Sequence, residues 1–376
     1  MRYTRAVDAH WVETEEELAK WCDRLSQCER IAVDTEANSM FAYFERICLV
    51  QVSIPGEDLL IDPFAVDLAP LGEVFANPNI QKILHGADYD ILSFKRSEGF
   101  VLNGLFDTML AAKILGWERC GLAPLLAEHF DHAANKAFQR YDWGQRPLSD
   151  DALAYARYDT HFLLELAQLQ SDALAEAGRE ELFARACERQ TQVEPKTRTF
   201  DPDGYWKFKG ARDLDEPARS VLRAVFAWRD TTAQELDRPP FRVLPESAMM
   251  GLARQQPADA RAVGQVRSMP KPIARRHAPA LVELISKAKE TPCPRPVRAK
   301  RSPADRDVGT RMDALRGWRK AEAAKLGVDP EFVLDKAALV AVAEAGDVAR
   351  LGPWERERYA NSMKAALIAA TDSAGS

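Results

Sequence analysis

The sequence predicts an α/β domain, a mixed sheet covered by helices, followed by two small all-α units. Three observations predict it. From 30 to 115, β-type runs alternate with helical ones, strands first and mostly helices after. From about 120 to 190 the apolar spacing is helical. Beyond that, two segments lose periodicity and gain proline, 193–210 and 291–307, and they set apart helical stretches at 211–290 and 308–376. The expected domains are therefore 1–192, 211–290 and 308–376, with 193–210 and 291–307 as linkers, the second Pro-rich and basic.

Taken in order, the strands are "RIAVDTEA" (30–37), "ICLVQVSI" (47–54), "DLLIDPF" (58–64) and "QKILHGA" (81–87). Helical patterns follow in "DILSFKRSEG" and "TMLAAKILG". The stretch 150–169, "DDALAYARYDTHFLLELAQL", reads as one helix with Leu153, Ala156, Leu163, Leu164 and Leu166 as its buried stripe. In the second unit, "DRPPFRVLP" (237–245), "QQPAD" (255–259) and "SMPKP" (268–272) punctuate the helices.

Composition excludes several function classes. With 376 residues and 46% hydrophobic content the chain has ample material for packed cores. No apolar run approaches the roughly 20 residues of a bilayer span, and the first 20 residues lack the apolar core of a secretory signal. A soluble, cytoplasmic protein is expected, with no membrane partner. The six cysteines are scattered without a C-x-x-C pair, so they read as reduced thiols. A P-loop and Gly-rich fingerprints are absent, so no nucleotide cofactor is expected. The net charge of -6 is unevenly spread. Acidic residues outnumber basic ones 32 to 18 over 1–190, whereas basic residues lead 17 to 10 over 211–300 and the two balance at 12 each over 301–376. The basic middle is either a solvated helical face or a handle for phosphates.

The chemistry-bearing residues are acids. Asp34 and Glu36 lie two apart on a strand, which points both to one side. Like charges so close raise each other's pKa unless a cation offsets them. In "HGADYD", Asp88 is placed to cap a helix and Asp90 to sit inside its first turn, free to face the sheet edge. Asp107, in "LFDTMLAAK", is read as a structural residue at another helix start. On the 150–169 helix, Tyr155 and Asp159 stack on one face, four apart. Four carboxylates and a phenol then surround one pocket, and all-oxygen ligands favour Mg²⁺ or Mn²⁺ over zinc. Such a set holds two ions, the arrangement that cleaves phosphodiesters.

In order and spacing, "DTE", "HGADYD" and "YARYD" resemble the three motifs of the DEDD superfamily of 3′-to-5′ exonucleases, in the subclass whose third motif is Tyr-x-x-x-Asp. The resemblance runs from about 8 to 190 and is nearest to ribonuclease D and its exosome-associated relatives. It implies an RNase H-like (DnaQ-like) exonuclease fold and a metal set of Asp34, Glu36, Asp90 and Asp159. Tyr155 would orient the attacking water. It further implies release of 5′-mononucleotides from RNA, with tRNA precursors as partners. "HGAD" departs from the Asn-led second motif of DNA-proofreading members, which turns the expectation toward RNA. "FAWRDTTAQELDRPPFRVLPESAMMGLA" is similar to an HRDC domain, with Trp228, Arg229, Asp237, Pro239, Phe241, Val243 and Leu244 at matching positions; 308–372 looks like a second, diverged copy. Two rivals remain on the sequence alone, a DNA 3′-5′ exonuclease of repair and a non-catalytic RNA-binding scaffold. A monomer is the favoured state. His85, Trp143 and Arg146 stay open between site and structure, and none is placed among the catalytic residues.

Overall fold

A strand buried on both faces needs neighbours on either side, and "ICLVQVSI" has them. In the computed structural model this run is strand β3 (Ile47–Ile54), buried throughout. It lies antiparallel between β2 (Arg30–Ala37) and β4 (Glu57–Ile61). The structure describes residues 9–133, 138, 140–195, 199–295 and 303–374. Residues 1–8 of the expected first domain, 196–198 and 296–302 of the two expected linkers, and 375–376 lie outside them.

Three more strands complete a six-stranded mixed sheet ordered β1-β4-β3-β2-β5-β6. These are β1 (His10–Val12), β5 (Gln81–Leu84) and β6 (Leu105–Asp107). β1 joins β4, and β5 joins β2 and β6, all in parallel. The sequence reading lacks β1 and β6, which at three residues are too short to show a period of two. It also runs β4 and β5 too far, since β4 ends at Ile61 and β5 at Leu84.

The helices of this domain are α1 (Glu15–Leu25), α2 (Leu71–Ala76), α3 (Asp88–Ser97), α4 (Thr108–Leu115), α5 (Leu122–Phe130), α6 (Asp150–His161), α7 (Leu163–Glu176) and α8 (Glu180–Thr191). α1 is capped by Thr14, whose hydroxyl accepts from the Glu17 amide and donates to the Glu17 carboxylate. The predicted single helix at 150–169 is two. It breaks at Phe162, whose ring stacks on Phe130 and Tyr158, a tertiary cluster that the helical spacing does not reveal.

The second unit comprises α9 (Glu216–Glu235), α10 (Pro240–Val243), α11 (Glu246–Gln255), α12 (Ala260–Gln265) and α13 (Lys271–Lys289). Tyr205, Trp206 and Phe208 pack into its core. The second half of the expected 193–210 linker therefore belongs to this body. The third unit has α14 (Pro303–Leu326), α15 (Pro330–Val333), α16 (Lys336–Ala345) and α17 (Pro353–Ala374) around its own core.

These two units repeat one arrangement. Trp228-Arg229 and Trp318-Arg319 lie 90 residues apart, as do Leu244 and Leu334. In each unit the arginine Nη1 reaches the carbonyl of that buried leucine, at 3.5 Å from Arg229 and 2.9 Å from Arg319.

Both helical units touch the first domain. The loop 38–46, which follows the acid-bearing strand β2, is held by the second unit. The Asp237 carboxylate accepts from the backbone amides of Tyr43 and Phe44, both at 3.0 Å, and the Tyr43 hydroxyl donates to Asp230. The third unit meets α8, where Trp354 donates to Glu181 and Arg189 donates to the Phe332 carbonyl.

Candidate active site

Strand alternation places Asp34 and Glu36 on the face of the sheet covered by α6. That assignment follows from register. Their cross-strand partners are Gln51 and Leu49, and Leu49 packs with Ala152, Leu153 and Ala156 of α6. A bulge between Glu36 and Ala37 ends regular pairing as the chain enters loop 38–46. Asp90, only 5% exposed, comes from the first turn of α3 and accepts a hydrogen bond from the Thr35 hydroxyl. Tyr155 and Asp159 come from one flank of α6. All five predicted residues are thus brought to one place from three separate segments.

Their charges act on one another. Burial, and then the charges of Asp90, Asp159 and Glu36, push the Asp34 carboxyl well above the usual range. Glu36 is raised by burial and by Asp159 and Asp90. Asp90 is pushed up to about 7 by burial, against the pull of its Thr35 hydrogen bond, and Asp159 to about 7 by burial and then Asp90. Burial followed by Asp159, Glu36 and Asp34 raises the Tyr155 phenol, so it keeps its proton.

One expectation needs correction. Asp88 is not the cap of α3; the cap position is Ala87, and no side chain of its own turn bonds there. The carboxylate of Asp107 instead holds the turn that leads into α3, accepting from the Gly86 and Ala87 amides at 2.9 and 2.8 Å. It also caps α4 through Met109 and Leu110, as its place before that helix predicts. Asp88 is the first, exposed residue of α3 and takes one hydrogen bond from Gln190 at 3.1 Å.

The flank of α6 away from Tyr155 and Asp159 is tied to the β3–β4 hairpin by residues that the sequence reading does not single out. Buried Asp58 accepts from Arg157 Nε at 2.5 Å and from the Ser53 hydroxyl at 2.6 Å, and lies 2.7 Å from His161 Nδ1. Ser53 also contacts Thr160 at 2.7 Å. The available signal is the recurrence of polar residues within β-type runs that are otherwise apolar.

The three open residues are packed or bonded within the fold. Trp143 is 2% exposed and packs near the Tyr155 ring. Arg146 makes a two-pronged contact with Asp62 at 2.9 and 2.6 Å and donates to the carbonyls of Cys48, Trp143 and Gln145, which leaves no N–H free for a phosphate. His85 Nδ1 pairs with the Thr108 hydroxyl, and burial lowers the ring's pKa to about 4, so it is neutral.

This chain is similar to known proteins along most of its length. The sequence profile of a "3′-5′ exonuclease" family matches residues 9–172 and that of the "HRDC domain" matches 218–285. The Exosome complex exonuclease RRP6 of Saccharomyces cerevisiae is 33% identical over 74% of this chain, which spans 40% of that longer protein. A Ribonuclease D of a Jannaschia species is 32% identical, covering 86% of each chain. The chain belongs to the ribonuclease D family. Among solved structures, the catalytic core of RRP6 from Trypanosoma brucei superposes with a TM-score of 0.70 at 27% identity, covering 77% of this chain and 81% of that one. Among the described residues, no helix is long and apolar enough to cross a membrane.

Divalent metal dependence follows from the family. The donor set suits it, being four carboxylates and no thiolate or imidazole. Among the described residues, however, no three Asp, Glu, His or Cys side chains stand close enough to enclose an ion. The acids share one field without sharing one coordination sphere.

A pH dependence follows. Asp90 and Asp159 titrate at about 7 in the folded chain, against roughly 3.9 when unfolded. Between those values the folded state holds more protons than the unfolded one, so stability falls as pH rises through the window. In EDTA the melting temperature is expected to drop from pH 5 to pH 8, and less steeply for Asp159→Asn. Adding Mn²⁺ at pH 8 is expected to raise it. Identical slopes for variant and parent would show that these carboxyls are not strained together.

Proposed function

We propose that the protein removes 5′-mononucleotides from RNA 3′ ends, with tRNA precursors as substrate, acting as a cytoplasmic monomer with two Mg²⁺ or Mn²⁺ ions. The observation that supports this most is that Asp34 and Glu36 of β2, Asp90 of α3, and Tyr155 and Asp159 of α6 lie within electrostatic reach of one another. In this reading the four carboxylates hold the ions, and Tyr155 donates a hydrogen bond that orients the attacking water. Bound ions would supply water activation and charge stabilisation at the leaving oxygen. Thr35 fixes the Asp90 carboxylate, and the Asp58 network fixes the roll of α6 and so the aim of Asp159.

The test is a 5′-labelled single-stranded RNA and its DNA equivalent, each incubated with Mg²⁺ or EDTA. A ladder of one-nucleotide steps on RNA, abolished by EDTA, is expected. A ladder on DNA alone would move the function to repair, and no ladder on either would leave a binding scaffold.

The helical units are read as an HRDC domain and a diverged second copy that grip RNA. The repeated arginine-to-leucine carbonyl contact supports the second assignment. Arg261, Arg267, Lys271, Arg275 and Arg276 form an exposed basic stretch over α12 and α13, with no acidic partner among the described residues. Combined Arg267→Ala, Lys271→Ala and Arg275→Ala substitution is expected to weaken RNA binding in Ca²⁺. It should also flatten the salt dependence by about 0.7 in log-log slope for each phosphate that is no longer neutralised. An unchanged slope would make this stretch a solvated face.

A further inference from the structure

Gln51 is out of place in β3. The strand is buried on both faces, yet its fifth residue carries a primary amide with no exposure, and neither amide atom has a hydrogen-bond partner among the described residues. Burying an amide unpaired is strongly unfavourable, and such groups in folded proteins usually have a reason.

Register shows what the amide faces. Gln51 lies directly opposite Asp34 across the β2–β3 ladder and opposite Leu60 across β3–β4. Opposite residues project to the same face, with Cβ atoms roughly 4.5–5.5 Å apart. Along its own strand the same-face neighbours are Leu49 and Ser53. Leu49 and Leu60 are apolar and pack under α6. Ser53 is already engaged by Asp58 and Thr160. Among these register neighbours the polar group left is Asp34, directly opposite across the ladder.

We propose that Gln51 is a positioning residue for the acid cluster: its amide donates to the Asp34 carboxylate and fixes the orientation in which Asp34 meets a divalent ion. The proposal rests on reading Asp34 as a metal ligand. Hydrogen-bonding partners behind a ligating carboxylate typically change metal affinity or activity 10- to 100-fold when removed. A purely space-filling glutamine predicts instead that an apolar side chain of similar size leaves metal response and turnover unchanged.

The experiment compares Gln51→Met and Asp34→Asn with the parent, full-length chain. Melting temperature is read in EDTA and with Mn²⁺, and kcat and KM on single-stranded RNA are read per folded molecule below all the melts. For Gln51→Met the expected result is an apo melting temperature equal to or above the parent's and a smaller Mn²⁺-induced rise. kcat should fall roughly 10- to 100-fold with KM little changed. A parental kcat together with a parental Mn²⁺-induced rise overturns the proposal. Asp34→Asn should lose both activity and the Mn²⁺-induced rise. If Asp34→Asn is instead active, the reading of the site fails and the proposal with it. If Asp34→Asn is dead while Gln51→Met behaves as the parent, only the proposal fails.

Discussion

Asp90→Ala is expected to abolish RNA hydrolysis without unfolding the protein, while Asp88→Ala leaves turnover close to the parent's. The two acids sit two residues apart in "ADYD", but their surroundings differ. Asp90 is buried, bonded to Thr35 and raised toward neutrality among other carboxylates. Removing it deletes a charged oxygen donor from the proposed metal site, where transition-state charge is worth several kcal/mol, so the loss should be roughly 10³-fold or more. In EDTA at pH 8 the variant is expected to melt no lower than the parent, because a strained buried carboxyl is gone. Asp88 is exposed and bonded only to Gln190 in the described contacts of its side chain. Its loss removes a favourable charge from a helix N-terminus, about 0.3–1 kcal/mol of stability. Turnover on labelled RNA and melting curves for both variants decide the matter. An inactive, folded Asp88→Ala beside an active Asp90→Ala would mean that the second motif is read two residues out of register.

The legible and illegible parts of this chain divide on how far apart the interacting residues lie. β2 and β3 are visible with their bounds because long apolar runs announce buried central strands, and the acids of β2 stand out against that background. Tyr155 and Asp159 are legible from spacing on a single helix. What fails depends on partners remote in sequence. The turn into α3 is held by Asp107, so a reading confined to "GADYD" looks for the anchor in Asp88. Arg146 is undecidable until Asp62, 84 residues away, is seen to occupy its guanidinium. Gln51 raises no question in the sequence, because a single polar residue in a strand gains meaning only from the register that sets it beside Asp34.

The tyrosine and the aspartate on α6 are expected to fail differently when changed. Asp159→Asn removes a negative oxygen from a hard-cation site, so metal affinity and turnover should fall together. Tyr155→Phe removes only a hydroxyl. The ring keeps its packing beside Phe138 and Trp143, and all four carboxylates stay in place, so the fold and the metal-induced rise in melting temperature should be preserved. The hydroxyl is held protonated by burial and by three neighbouring acids, which under the proposed function suits it to donate to the reacting oxygens rather than accept a proton. Its loss is therefore expected to slow the chemical step by roughly 10² to 10⁴, the usual worth of a group that handles a proton or orients the water. RNA affinity measured in Ca²⁺ should change little, because the interaction belongs to the transition state and not to binding. Single-turnover rates on labelled RNA, set beside Mn²⁺ titrations of both variants, separate the two roles. Wild-type turnover in Tyr155→Phe would show that the phenol is only a packing residue on the flank of α6, and the site would then have to orient its water by some other donor.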